Sequence, residues 1–233
     1  MSGSFGPVLI TPDFVFVHVP KTGGTWVRGM IPAEWRIAEL ETHREHDRVP
    51  PEYTDLPVLA FVRNPWDWYV SFWDDRVRGL TTDDGWIDEL LRPDLGFETF
   101  LRAALYTRDF RYRVGRWMRE EGLDLYSAMF RDITMPRRSV WFGRFENLRA
   151  DLLRFLDEVT TVDEALRKRI LTSPAEYVGG HRDYRTYYTP ELRDLVAERC
   201  ERIITRFGYR FDPERSPLAS PPRGLPAPRT RGG

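Results

Sequence analysis

Lysine, threonine and two adjacent glycines fall together at Lys21-Thr22-Gly23-Gly24-Thr25, with Trp26 directly after them. Such a set binds anions: the lysine brings a full positive charge, and the glycines let backbone N–H groups approach a ligand closely. The order of residues narrows the chemistry. A nucleoside-triphosphate loop of the G-x-x-x-x-G-K-[ST] kind has its lysine after the glycines, whereas here the lysine precedes them. The expected guest is a phosphate or a sulfate, held by something other than an ordinary ATP or GTP loop. A second basic position, Arg63, opens Arg63-Asn64-Pro65, and its planar fork of donors also suits a phosphate. A third segment, 179–188, mixes His181, Arg182 and Arg185 with Tyr184, Tyr187 and Tyr188. Arginine with tyrosine there suits a ribose phosphate and a base, and Arg182 and Arg185 are both candidates.

These residues need elements to hold them. Phe14 to Val19 is apolar at nearly every position, as a central parallel strand is, and Pro20 ends its ladder. From Thr25 onward, Trp26, Val27, Met30 and Ile31 have helical spacing, so unpaired N–H groups of a first turn would face the loop. Pro57 to Val62 is another buried-strand run, ending at Arg63. A helix starting near Pro65 carries Ser71 and a buried face of Trp66, Val70, Trp73 and Val77. Ser139 to Phe145 predicts a third core strand, and 146–159 a helix with Leu148, Leu152, Phe155, Leu156 and Val159 inward. Segments 83–91, 97–105 and 111–121 are helical by spacing. Thr189 as N-cap, Pro190 at N1 and Gly208 as the stop delimit a final helix.

The loop Pro20-Lys21-Thr22-Gly23-Gly24-Thr25-Trp26 resembles the 5′-phosphosulfate loop of sulfotransferases that use 3′-phosphoadenosine 5′-phosphosulfate (PAPS), whose cytosolic members carry P-K-S-G-T-T-W. The strand followed by Arg63-Asn64-Pro65, with Ser71 eight residues after the arginine, is similar to that family's 3′-phosphate motif. Thr42-His43, with Pro50 seven residues after the histidine, matches a further landmark. The resemblance implies a parallel α/β sheet flanked by helices, in a P-loop NTPase-like sulfotransferase fold. It implies PAPS as co-substrate, with 3′-phosphoadenosine 5′-phosphate (PAP) as product. Lys21, Thr22, Gly23, Gly24, Thr25, Trp26, Arg63 and Ser71 would bind it, joined by Arg182 or Arg185. His43 would be the general base and Lys21 a catalytic cation. The acceptor would be a hydroxyl of a small molecule or glycan, and no metal is required.

Departures from the pattern are specific. Glu41 stands where the family often has lysine, and His46 offers a second imidazole beside His43. Phe145-Glu146-Asn147 replaces a Y-E-D, and an R-K-G tripeptide is absent near residue 180. Trp26 suits either core packing or stacking on adenine, and His18 suits a hydrogen-bonded core position. A solvated loop or helix start is the plain alternative for the stretch 42–47. Its H-x-E-H spacing fits neither H-E-x-x-H nor H-x-x-E-H, and the lone Cys200 adds no second soft ligand, which argues against zinc. The rival functions are a nucleotide kinase or other phosphotransferase, and a nucleotide-binding homologue without activity.

Composition bounds the rest. The chain has 233 residues, 41% of them hydrophobic, and a net charge of −1. That length and apolar content support one domain over 1–212, and near-neutral charge argues against a nucleic-acid or membrane-surface binder. Lys21 and Lys168 are the only lysines of an arginine-rich chain, as in GC-rich bacterial genomes. With one cysteine there is no intrachain disulfide. No apolar run approaches the length of about 18 residues that marks a membrane span, and no leader is evident, so a cytoplasmic setting is expected. Beyond Asp212, the Pro/Arg/Gly/Ser-rich stretch 213–233 has no periodicity and is expected to be disordered.

Overall fold

A computed structural model describes residues 8–40, 53–77, 96–107, 113–134, 140–174 and 180–212. Among the described residues five strands form one sheet: β1 (Val8–Ile10), β2 (Val15–Phe16), β3 (Ala38–Leu40), β4 (Val58–Val62) and β5 (Val140–Arg144), in the order β3-β1-β2-β4-β5. The β2-β4-β5 half is parallel, while β1 runs antiparallel to both β2 and β3. The expected parallel sheet therefore carries one reversed strand. A tight turn reverses it: Thr11 Oγ1 donates to Phe14 O at 2.7 Å and accepts from Phe14 N–H at 3.0 Å. Strand β2 is shorter than the apolar run 14–19, yet pairing continues as Val17 N–H donates to Leu59 O at 2.8 Å.

Side chains alternate across the sheet with the period of two that a pleated strand imposes. Val58, Ala60 and Val62 face one layer of helices, and Leu59 and Phe61 face the other. The first layer includes α2 (Pro65–Val77), α3 (Phe97–Tyr106), α4 (Arg113–Glu120), α5 (Leu125–Thr134), α8 (Pro190–Arg199) and α9 (Glu201–Phe207). The second holds α1 (Gly24–Met30), α6 (Leu148–Val159) and α7 (Glu164–Thr172). This is a three-layer α/β sandwich. Among the described residues no helix is long and apolar enough to cross a membrane.

Helix α2 differs from the one-faced helix that the sequence predicts. Trp66 and Val70 are buried as expected, but Trp68, Tyr69, Ser71 and Phe72 are buried too. Other helices cover α2 on sides away from the sheet. Trp68 stacks on Tyr126 of α5 at 4.3 Å, and Trp73 meets Phe97 of α3 at 5.7 Å. The final helix starts as read, with the Thr189 side chain accepting from Leu192 N–H, but Cys200 divides it before Gly208 ends α9 at φ 64°.

Candidate anion site

The loop after β2 is fixed by what happens to its carbonyls. Thr22 Oγ1 donates to Val19 O at 2.8 Å, Trp68 Nε1 to Pro20 O at 2.8 Å, and Arg63 Nη1 to Lys21 O at 3.0 Å. Three successive acceptors are thus engaged by internal donors, which lessens the repulsion those oxygens would exert on an anion. Lys21 pays for this geometry with φ 62°, and it is the only non-glycine with positive φ among the described residues. A side chain held in that region costs of order 1 kcal/mol and persists only where its surroundings enforce it.

The glycines have distinct reasons. Gly23 has φ 83°, and a Cβ there would lie 2.9 Å from Leu148. Gly24 is needed for space alone: a Cβ would meet the His18 ring at 1.8 Å. Thr25 is exposed, while Gly24 and Trp26 are buried in α1. The Trp26 ring packs into the second-layer core, with its indole N–H on Pro174 O at 3.1 Å and the Arg149 guanidinium over it at 5.1 Å.

Arg63 sits at the C-terminal end of β4, beside the loop. Its Nε donates to Asp67 at 2.7 Å, its guanidinium lies 4.2 Å from the Phe145 ring centre, and its side chain is 8% exposed. Its backbone is clamped by the Tyr126 hydroxyl, which accepts from Arg63 N–H at 2.9 Å and donates to Arg63 O at 3.0 Å. Burial pushes that phenol well above its ordinary range, so it stays protonated and able to donate. Asn64 starts α2, its Oδ1 accepting from Trp66 N–H at 3.1 Å. Glu146, in the Phe-Glu-Asn stretch after β5, accepts from Asn64 N–H at 2.7 Å and from the Tyr209 hydroxyl at 3.1 Å. Burial raises its carboxyl above the usual range despite those two donors.

Asp67, Ser71 and Asp75 follow one another at i, i+4 and i+8 on α2 and so share a face. Asp67 holds Arg63, and Asp75 holds the Lys21 ammonium at 2.8 Å. Both cations of the candidate site are therefore paired with carboxylates of one helix, with the buried Ser71 between them. The segment 180–188 closes over the start of α2. Tyr188 donates to Trp66 O at 2.9 Å, and His181 Nε2 stands 4.0 Å from Asp67. Arg185 is committed to Asp183, at 2.9 Å through its Nε, and reaches Asp212 at 3.6 Å. Those carboxylates raise its already high pKa further. The Arg182 guanidinium lies 5.7 Å from the Tyr187 ring centre.

The structure thus brings Lys21, Thr22, Gly23, Gly24, Arg63 and Ser71 to one end of the sheet. His43, His46 and Glu41 lie outside the described residues, as do segment 83–91 and the stretch 213–233. Asp67, Asp75 and His181 join the site without having been expected. The Arg63–Asp67 spacing of i,i+4 is a readable signal. Lys21 and Asp75 stand 54 positions apart, and nothing local announces their pairing.

No family model matches the chain, and no curated protein matches it. Among solved structures, the chain is similar to mouse sulfotransferase SULT7A1 complexed with PAP. The identity is 16%, over 80% of this chain and 84% of that one, with a TM-score of 0.46. A likeness at that level says nothing of this chain's activity.

Proposed function

We propose that the chain is a PAPS-dependent sulfotransferase, transferring a sulfuryl group to an acceptor hydroxyl. The observation that carries this reading is the hydrogen bond from Arg63 Nη1 to Lys21 O. It joins two motifs that are 42 positions apart, at the C-terminal ends of the adjacent parallel strands β2 and β4. Ligands of open α/β sheets bind at such strand ends. A cationic loop with inward carbonyls beside a buried guanidinium fits a ligand with two separate phosphate groups.

In this reading the loop holds the 5′-phosphosulfate, and Arg63 with Ser71 holds the 3′-phosphate, with Arg182 or Arg185 contributing around the nucleoside, while Trp26, packed in the core, backs the loop. The acceptor oxygen attacks sulfur in line while His43 takes its proton. The bond from sulfur to the bridging oxygen breaks, and Lys21 offsets the negative charge that grows on the departing phosphate. That charge is larger in the transition state than in the ground state. Lys21→Ala therefore lowers turnover more than it lowers affinity for PAPS.

The test is transfer of labelled sulfuryl from PAPS to a panel of phenolic, aliphatic and sugar hydroxyls, with and without Mg²⁺. Transfer that persists without Mg²⁺ supports the proposal. Phosphoryl transfer from ATP that needs Mg²⁺, with none from PAPS, would identify a phosphotransferase instead.

A further inference from the structure

We infer that Asp75 is a positioning residue of this site: it is the counter-ion that a bound phosphosulfate must displace from Lys21. The inference rests on the nucleotide reading above and adds a residue to it. Lys21 is the loop's one side-chain cation, and its ammonium lies 2.8 Å from Asp75, with the two side chains 27% and 17% exposed. A partly enclosed pair of this kind is screened less than a surface pair. Lys21 also occupies a left-handed backbone position, which Arg63 holds by its bond to Lys21 O. The backbone of Lys21 is thus fixed by one motif while its side chain is held by α2, two turns beyond Asp67.

The consequence is a competition. An ammonium cannot keep a close carboxylate and also give its charge in full to a bridging oxygen. Asp75 therefore lowers affinity for the anion and aligns Lys21 along α2 until the ligand arrives. Arg63 is paired with Asp67 in the same way, but its guanidinium has several donors and can serve a carboxylate and a phosphate together. The single ammonium of Lys21 is a point charge and depends far more on which anion is nearest.

The test is calorimetric titration of PAP into the full chain, as wild type, Asp75→Asn, Asp75→Glu, Lys21→Ala and the Lys21→Ala/Asp75→Asn double variant. Asp75→Asn is expected to bind PAP about 3- to 10-fold more tightly than wild type, the size appropriate to a partly exposed ion pair. Asp75→Glu is expected to stay within about twofold of wild type, and the gain is expected to vanish in the Lys21→Ala background. A merely structural role would weaken binding in Asp75→Asn and would leave its effect unchanged without Lys21. Wild-type binding that Asp75→Asn fails to improve, or a gain that survives Lys21→Ala, overturns this inference and leaves the nucleotide reading standing. Absence of PAP binding in wild type and Asp75→Asn alike overturns both.

Discussion

Gly24→Ala tests the packing that shapes the loop, and its cost follows from three distances. The added Cβ would lie 1.8 Å from His18 Cδ2 and 2.4 Å from both Cγ and Nε2. Carbon atoms settle at about 3.5–4.0 Å, so the ring would have to retreat by about 2 Å. On one side it stacks on Phe16, whose side chain is buried in the second-layer core, so retreat that way displaces packed atoms. Overpacking of this kind costs about 1–3 kcal/mol, against which alanine's better helix propensity returns at most about 1 kcal/mol. A net loss of about 1–2 kcal/mol corresponds to a fall in Tm of about 2–8 °C for a chain of this size. The assay is thermal and urea unfolding of wild type, Gly24→Ala, His18→Ala and the double variant. In the His18→Ala background the glycine substitution is expected to cost nothing measurable, because the clashing ring is gone. A Gly24→Ala chain as stable as wild type, or one equally destabilised without His18, would refute the close approach.

Three further outcomes are expected. His43→Ala should cut turnover by about 10²–10⁴-fold while PAP affinity stays unchanged, with His46→Ala mild; steady-state kinetics beside calorimetry checks both. Glu146 has a raised folded pKa, so its protonated form favours the folded chain below its ordinary value of 4.5, and that contribution is lost as pH rises through the raised value. The stability of wild type relative to Glu146→Gln should therefore shrink with rising pH across that window in urea titrations, and a flat difference would contradict it. Burial raises the pKa of the sole thiol, Cys200, and shields it, so a thiol reagent should label it only as the chain opens, slowly in buffer and at once in denaturant.

The parts of this fold that sequence makes legible are those whose neighbours in space are also neighbours in the chain. Strands β4 and β5 stand out because each is a short apolar run with a clear stop. The last helices stand out because Thr189, Pro190 and Gly208 punctuate them. Helix α5 is hidden because Leu125, Tyr126, Ala128, Met129 and Phe130 are all buried and the polar Ser127 is buried among them, so its polar positions do not mark a solvent face. Helix α7 offers only Leu166 and Ile170 as a stripe, and β1 is three residues long. Within the site, Lys21, Gly23, Gly24 and Arg63 are legible because loop chemistry needs those types in that order. Of the carboxylates that hold the two cations, Asp67 is legible from its i,i+4 spacing to Arg63, and Asp75 is not. Asp75 looks like any solvated acid near the end of a helix until the sheet brings Lys21 beside it.

In the proposed reading, the loop at Lys21 and the motif at Arg63 form one site for a nucleotide with phosphates at both its 5′ and 3′ positions. Calorimetric comparison of PAP with AMP on the wild-type chain and on Arg63→Ala tests it most directly. Losing one partner of a buried charge pair costs about 2–5 kcal/mol, so PAP should bind about thirtyfold or more tightly than AMP, and Arg63→Ala should erase most of that margin. Equal affinity of the wild-type chain for PAP and AMP would contradict the claim.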